Sequence, residues 1–374
     1  LYIFPIKIKI EFKEMLEKLK KIIAGKGSLF SGLNNTLRGE IAIDLGTANT
    51  LILENDTIVL DEPSVIAINS FTKAVIAVGA QAKRMQGKGN SEMMIIRPLQ
   101  DGVIADYYAA EQMIRHFIKG ITSSTSKFLT KSYRVLICIP SGITEVEKRA
   151  VRDSALQAGA HEVLMIYEPI ASAIGIGLDI EDSIGSMIVD IGGGTTEIAI
   201  ISLSGIVTNQ SIRVAGDTFT EDIIEYIRRK HNILIGEQTG ENLKIAVGSA
   251  TINLDDDIIP KDFEIRGRDL VNGTPKVAMI GYSDVSHAIE KSLSKIETSI
   301  LKALEEAPPE LASDICQRGI FLTGGGSMLR GLDTRLSLKT KVPVSVANNP
   351  LKSVVIGTGL ALKDMERYKK ILMT

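Results

Sequence analysis

The 374-residue chain contains no tryptophan, and aromatic residues make up only 5% of it. A surface that stacks sugars or bases needs several flat rings, so this poverty argues against that class of binding. Cysteine occurs only at Cys138 and Cys316, far apart and each in an apolar setting. They read as reduced, buried thiols of a cytosolic protein rather than a disulfide framework. The four histidines (His116, His161, His231 and His287) lack the short spacing of zinc ligands. No run approaches the ~18 consecutive apolar residues of a membrane-spanning helix. A net charge of −2 supplies no general attraction to nucleic acid. Three signatures are also missing: a G-x-x-x-x-G-K-[ST] loop, a G-x-G-x-x-G turn after a strand, and a G-x-S-x-G elbow. P-loop, dinucleotide-binding and serine-hydrolase chemistry are set aside with them.

What is present is glycine in three revealing places. IAIDLGTANTLI (41–52) and MIVDIGGGTTEIAI (187–200) share one plan: an apolar strand ending in Asp, a glycine-rich turn with Thr, then a second strand. The repeat predicts a hairpin in each half of an internally duplicated α/β chain, and hence two lobes. RGIFLTGGGSMLRGL (318–332) is a third strand-to-glycine junction, predicted to lead into a helix. Between these lie a predicted strand over 133–139 stopped by Pro140, a helix over about 144–158, and a strand to Tyr167 followed by a helix rich in small residues. Residues 217–285 read as an inserted subdomain with helices over 220–231 and 241–247 and β-like pieces over 262–265 and 276–281. A helix over about 283–304 ends before Pro308-Pro309.

Backbone N–H groups in a glycine turn cradle anions because no side chain blocks the approach of phosphate oxygens. Thr47, Asn49, Thr195 and Thr196 add side-chain donors. Two such hairpins facing each other would clamp a polyphosphate. Asp44 and Asp190 would repel it unless a cation intervened, so their pairing implies Mg²⁺ held largely through water. Taken singly, each Asp is equally a turn cap. The run Gly324–Gly326 could admit a nucleoside against bare backbone, or be a plain strand-to-helix turn. Glu168 could activate a water at the terminal phosphate, or be a helix N-terminal charge favoured by the dipole.

The N-terminus, LYIFPIKIKIEFKEMLEKLKKIIAGKGSLF, lacks the continuous apolar run and cleavage site of a signal peptide. It places Phe12, Met15, Leu16, Leu19, Ile22 and Ile23 on one stripe among lysines. Residues 1–38 therefore read either as a basic amphipathic membrane anchor or as a helix packed on the body, or as a start assigned upstream of a true beginning at Met15.

DLGTANT (44–50), YEPIASAIGIGL (167–178), VDIGGGTTE (189–197) and LTGGGSML (322–329), with DEPSV (61–65), RPLQDGVIADY (97–107) and VAGDTFTEDI (214–223), resemble the actin-like ATPase superfamily. Within it the set is similar to the MreB family of rod-shape-determining actin homologues, over essentially residues 39–374. The resemblance implies an α/β actin-like ATPase fold, two lobes each with a duplicated mixed five-stranded sheet and flanking helices, and ATP with Mg²⁺ in the cleft. The first lobe would take 39–182 and 353–374, with a small subdomain near 70–102. The second would take 183–352, with a small subdomain near 219–282.

By motif, Asp44 and Asp190 would position the metal. Thr47, Ala48, Asn49, Gly192, Gly193, Gly194 and Thr195 would hold phosphates. Glu241, Asn242, Leu243 and Lys244 would lie near ribose and base, and Gly324, Gly325, Gly326, Ser327 and Met328 would line the adenosine site. Glu168 and Thr195 match the pair that places the hydrolytic water. The resemblance further implies ATP hydrolysis coupled to assembly into antiparallel double filaments. These would lie in the cytoplasm, peripheral on the inner face of the cell membrane, with cell-wall elongation membrane proteins as partners and no nucleic acid. Phe128 and Leu129, set between Lys127 and Lys131, match a membrane-inserting loop or else form one packed turn. A heat-shock-type chaperone ATPase and a small-molecule kinase share the fold. The first would need a substrate-binding β domain, for which too little chain follows the third glycine motif, and the second an acceptor pocket that no motif implies.

Overall fold

A computed structural model describes residues 38–89, 91–122 and 132–374, so the N-terminal segment and the Phe128–Leu129 loop lie outside the described residues. Two five-stranded mixed sheets with identical strand order organise the chain. In the first, β1 (Arg38–Leu45), β2 (Asn49–Glu54) and β3 (Thr57–Pro63) form an antiparallel meander. Strands β4 (Ser132–Ile139) and β5 (Ala160–Tyr167) add in parallel beyond β1. In the second, β6 (Ser186–Ile191), β7 (Thr196–Ser202) and β8 (Gly205–Ile212) repeat the meander, and β9 (Ile320–Thr323) and β10 (Val344–Val346) repeat the parallel pair. The sequence repeat is thus a repeat of topology. Strands β6 and β7 are buried at every position, which explains their near-continuous apolar runs: both faces of the sheet are covered.

Among the described residues the helices are α1 (Ala80–Met85), α2 (Tyr107–Thr122), α3 (Glu145–Gln157), α4 (Glu168–Gly175), α5 (Gly216–His231), α6 (Glu237–Val247), α7 (Tyr282–Glu305), α8 (Pro309–Arg318), α9 (Leu332–Thr340) and α10 (Ser353–Lys363). Helix α3 starts at a capping box in which the Thr144 hydroxyl accepts from Glu147 N–H and Thr144 N–H donates to the Glu147 carboxylate. Helix α4 leaves the first sheet and packs on β6 and β7 of the second, while α10 leaves the second and packs on β1, β2 and β4 of the first. The two helices cross where a Cβ at Gly175 would strike the Ser353 carbonyl and one at Gly357 the Ala171 carbonyl. Backbone therefore meets backbone there. Around this crossing a shared core includes Leu136, Ile166, Ile170, Ile188 and Val355, and each sheet has a separate core on its outer side. The C-terminal tail returns to the first sheet, where Met373 pairs with Met165.

Each lobe carries a small three-stranded sheet. One joins Ile66–Asn69, Val75–Val78 and Met93–Ile96, with α1 against it; the other joins Ile233–Leu234, Phe263–Asp269 and Pro275–Ile280, beside α6. Several boundaries differ from those expected. Helices α5 and α6 each begin four residues earlier than the apolar periodicity suggested, because their first turns open on glycine and polar residues, and Gly216 and Asp217 of α5 line a cleft. The third glycine run enters a short 3₁₀ turn, Gly325–Met328, before α9. Pro308-Pro309 does not only end a helix, since Pro309 also starts α8. Both cysteines are free as expected, but Cys316 is exposed rather than buried, on the outer face of α8.

Candidate functional site

A cavity of about 610 Å³ lies between the sheets, and its floor is made of the two expected hairpin turns. They come face to face. A Cβ on Gly193 would lie 2.7 Å from the Ala48 methyl, and one on Gly194 would lie 2.9 Å from the Thr47 side chain, so only glycine permits this approach. Each turn is braced from behind. In the first, Ser64 N–H donates to the Ala48 carbonyl and the Ser64 hydroxyl to the Gly46 carbonyl, which gives the DEPSV segment a structural purpose. In the second, the opening N–H groups of α5, on Gly216 and Asp217, donate to the carbonyls of Gly192 and Gly193. Two donors that a helix start ordinarily leaves unpaired are satisfied, and the turn is held open.

Beneath the turns sit the carboxylates. Among the described residues Asp44 accepts only the weak Cys138 thiol donor, at 3.3 Å, whereas Asp190 accepts the Ser172 hydroxyl at 2.6 Å and a second side-chain bond from Thr323. Burial pushes Asp44 up to about 7, with Asp190 adding repulsion, and burial likewise pushes Asp190 up to about 6. Glu168 is raised well above the usual carboxylate range by burial first and then by Glu197, Asp44 and Asp190. Asp44 and Glu168 keep part of their surface, and that surface faces the cleft they line. Among the described residues no group of three or more His, Cys, Asp or Glu forms a protein cage for a metal. Asp44, with one weak donor, facing Asp190 beside a phosphate-sized cradle instead fits a cation held mainly through water and ligand oxygens.

Thr47, Ala48, Asn49, Gly192, Gly193, Gly194 and Thr195 all line the cavity, as do Glu241, Lys244, Gly324, Gly325, Gly326 and Met328. Four residues do not. Thr196 turns its hydroxyl to the Val214 carbonyl, Asn242 is exposed on the far side of α6, Leu243 is fully buried in the second core, and Ser327 bonds the Gly324 carbonyl. The helical period explains the split on α6: 241 and 244 share a face, while 242 and 243 do not. Lys244 donates to the Gly216 carbonyl and the Thr220 hydroxyl, and burial lowers its pKa. Ile245, Met328 and Leu351, exposed along the cleft, give the wall an apolar lip. Of these, sequence reasoning picked out only Met328.

Above the cavity, polar contacts cross from α1 and the first small sheet's edge to α5 and α6. Lys83 on α1 lies 3.0 Å from Glu241, Arg97 lies 2.5 Å from Asp217 and 3.2 Å from Glu237, and Gln86 donates to Glu237 at 2.7 Å. None of this was visible in the sequence, because the partners are more than 100 residues apart. Among the described residues no helix is long and apolar enough to cross a membrane.

The sequence profile of the family described as MreB/Mbl protein matches residues 38–370. The cell shape-determining protein MreB of Escherichia coli (strain K12) is 48% identical over 334 residues, 88% of this chain and 94% of that protein. The crystal structure of MreB5 of Spiroplasma citri bound to ADP aligns with a TM-score of 0.83 at 37% identity, covering 89% of this chain and 98% of that one. The same protein bound to AMPPNP gives 0.82 at 38% identity, again with 89% and 98% covered.

Proposed function

Because the chain belongs to the MreB/Mbl family of actin-like proteins, we propose that it binds and hydrolyses ATP between its lobes. Turnover is coupled to self-assembly into antiparallel double filaments that determine cell shape. The observation that carries this reading is the pair of glycine turns meeting over Asp44 and Asp190. Their backbone N–H groups and the Thr47 and Thr195 hydroxyls would hold the phosphates. The apolar lip suits the base, and Glu241 and Lys244 lie where ribose would emerge. The binding of ADP and AMPPNP by the Spiroplasma relative supports the ligand class. Coverage of 94% of the Escherichia coli relative favours this reading over a chaperone ATPase or a small-molecule kinase.

Asp44 and Asp190 would hold Mg²⁺, which when bound neutralises phosphate charge beside them. Glu168, a carboxylate that burial holds well above its ordinary range, takes the proton of the attacking water, and Thr195 orients that water. Filaments would lie in the cytoplasm against the inner membrane face, through the Phe128–Leu129 loop, the basic N-terminal segment or both. There they would meet cell-wall elongation membrane proteins. The test is ATP-dependent pelleting with Mg²⁺, with and without anionic vesicles, alongside phosphate release by the wild type and Glu168→Gln. Absence of polymer across salt conditions refutes assembly, and phosphate release by Glu168→Gln at the wild-type rate refutes the base.

A further inference from the structure

Glu197 on β7 is only 1% exposed, in a strand buried on every face. An ionisable group in such a place is costly unless donors surround it. Its donors come from both lobes. Ser141, which follows Pro140 at the end of β4, gives both its N–H, at 3.1 Å, and its hydroxyl, while Ser211 on β8 of the second lobe gives its hydroxyl at 2.5 Å. The Ser141 hydroxyl also lies 2.8 Å from Asn209 Oδ1 on β8. Pro140 is close to Thr195, since an added Cβ on Gly102 would sit 3.1 Å from one and 2.9 Å from the other. Glu197 therefore pins a first-lobe loop to the second-lobe strand that continues from the water-orienting turn. It is also the negative charge that acts most strongly on Glu168.

We propose that Glu197 is a positioning residue for ATP hydrolysis: by clamping Ser141 across the cleft floor it sets Thr195 and Glu168 against the attacking water only when the lobes are closed. This rests on the ATPase reading above. It separates binding from chemistry, because the phosphate-holding turns have their own braces and do not depend on Glu197.

The experiment uses the full chain with Mg²⁺ and ATP, following binding with a fluorescent ATP analogue and hydrolysis by single-turnover phosphate release across pH. Glu197→Gln, nearly isosteric, should lower kcat about tenfold or more and leave ATP affinity within about twofold. It should also move the acid limb of the kcat profile to lower pH. Glu168 then keeps Asp44, Asp190 and Cys138 as titratable neighbours but loses its strongest negative one. Ser141→Ala, which removes the hydroxyl half of the clamp from the other lobe, should lower kcat without moving that limb. In a Glu168→Gln background the Glu197→Gln change should cost nothing more. An unchanged kcat, an unmoved acid limb in Glu197→Gln, or an additive loss in the double variant overturns the proposal. A wild-type protein that binds ATP and releases no phosphate overturns the ATPase reading as well, and is seen before any variant is made.

Discussion

Replacing Arg97 by alanine removes two of the polar contacts that close the top of the cleft. Arg97 pairs with Asp217 at 2.5 Å and with Glu237 at 3.2 Å, and the side chains retain 24%, 32% and 49% of their exposure. Pairs this wet contribute ~0.2–1 kcal/mol each, with the shorter one near the top of that range. Their joint loss is ~1 kcal/mol, or about fivefold in the balance of open and closed lobes. Lys83–Glu241 and Gln86–Glu237 remain, so the cleft is loosened rather than freed. Stopped-flow release of a fluorescent ADP analogue should therefore run about fivefold faster in Arg97→Ala. Salt supplies an internal control. At ~1 M the screening length falls to ~3 Å, and the wild type should speed up toward the variant, which has less left to screen. Equal release rates at low salt, or equal salt sensitivity of the two proteins, would refute the idea that these pairs govern opening.

Gly193→Ala puts a methyl into the 2.7 Å gap facing Ala48. Overpacking of ~1–3 kcal/mol relieved by parting the turns should weaken ATP binding about tenfold with little change in melting temperature; titration calorimetry showing wild-type affinity would contradict it. The pH response has a definite sign. Asp44 at about 7 and Asp190 at about 6 stand above their ordinary 3.8, so the metal-free folded chain binds more protons than the unfolded one. Its stability should fall as pH rises through 6–7, and Asp44→Asn should flatten the trend; melting curves at about pH 5.5 and about pH 8 that match would exclude it. Thr144→Ala removes the α3 capping box and should cost ~1 kcal/mol in urea denaturation, an unchanged midpoint being the contrary result. Gly357→Ala drives a methyl into the Ala171 carbonyl, and should lower the melting temperature and slow hydrolysis more than it weakens ATP binding. Intact turnover would count against a tight crossing.

The duplicated hairpins were legible because their signal is local: a strand, an Asp and a glycine turn lie within about a dozen residues, and the copy in the other half gives the first its meaning. The apolar strand runs and the start of α3 near Thr144 were legible for the same reason. Glu197 was not, although it sits inside a recognised motif, because its role depends on Ser141 and Ser211, which only the tertiary fold delivers. The contacts of Lys83 and Arg97 escaped for a related reason, since single surface charges carry no periodicity. Asn242 and Leu243 show the opposite error. A contiguous motif was taken whole, while the helix presents only alternate parts of it to the cleft.

The crossing of α4 and α10 gives lobe angle a chemical meaning. A joint of bare backbone has no interlocking side chains to disengage, so small rotations meet little resistance until atoms collide. Glu168 opens α4 and Gly175 closes it, which places the carboxylate a lever arm of ~10 Å from the pivot. Turning by ~10° swings that end through ~2 Å, beyond the ~1 Å of misplacement that can cost a reaction a hundredfold. If the chain hydrolyses ATP as proposed, a neighbouring subunit that fixes the angle to within a few degrees would set the rate at a nucleotide it never touches.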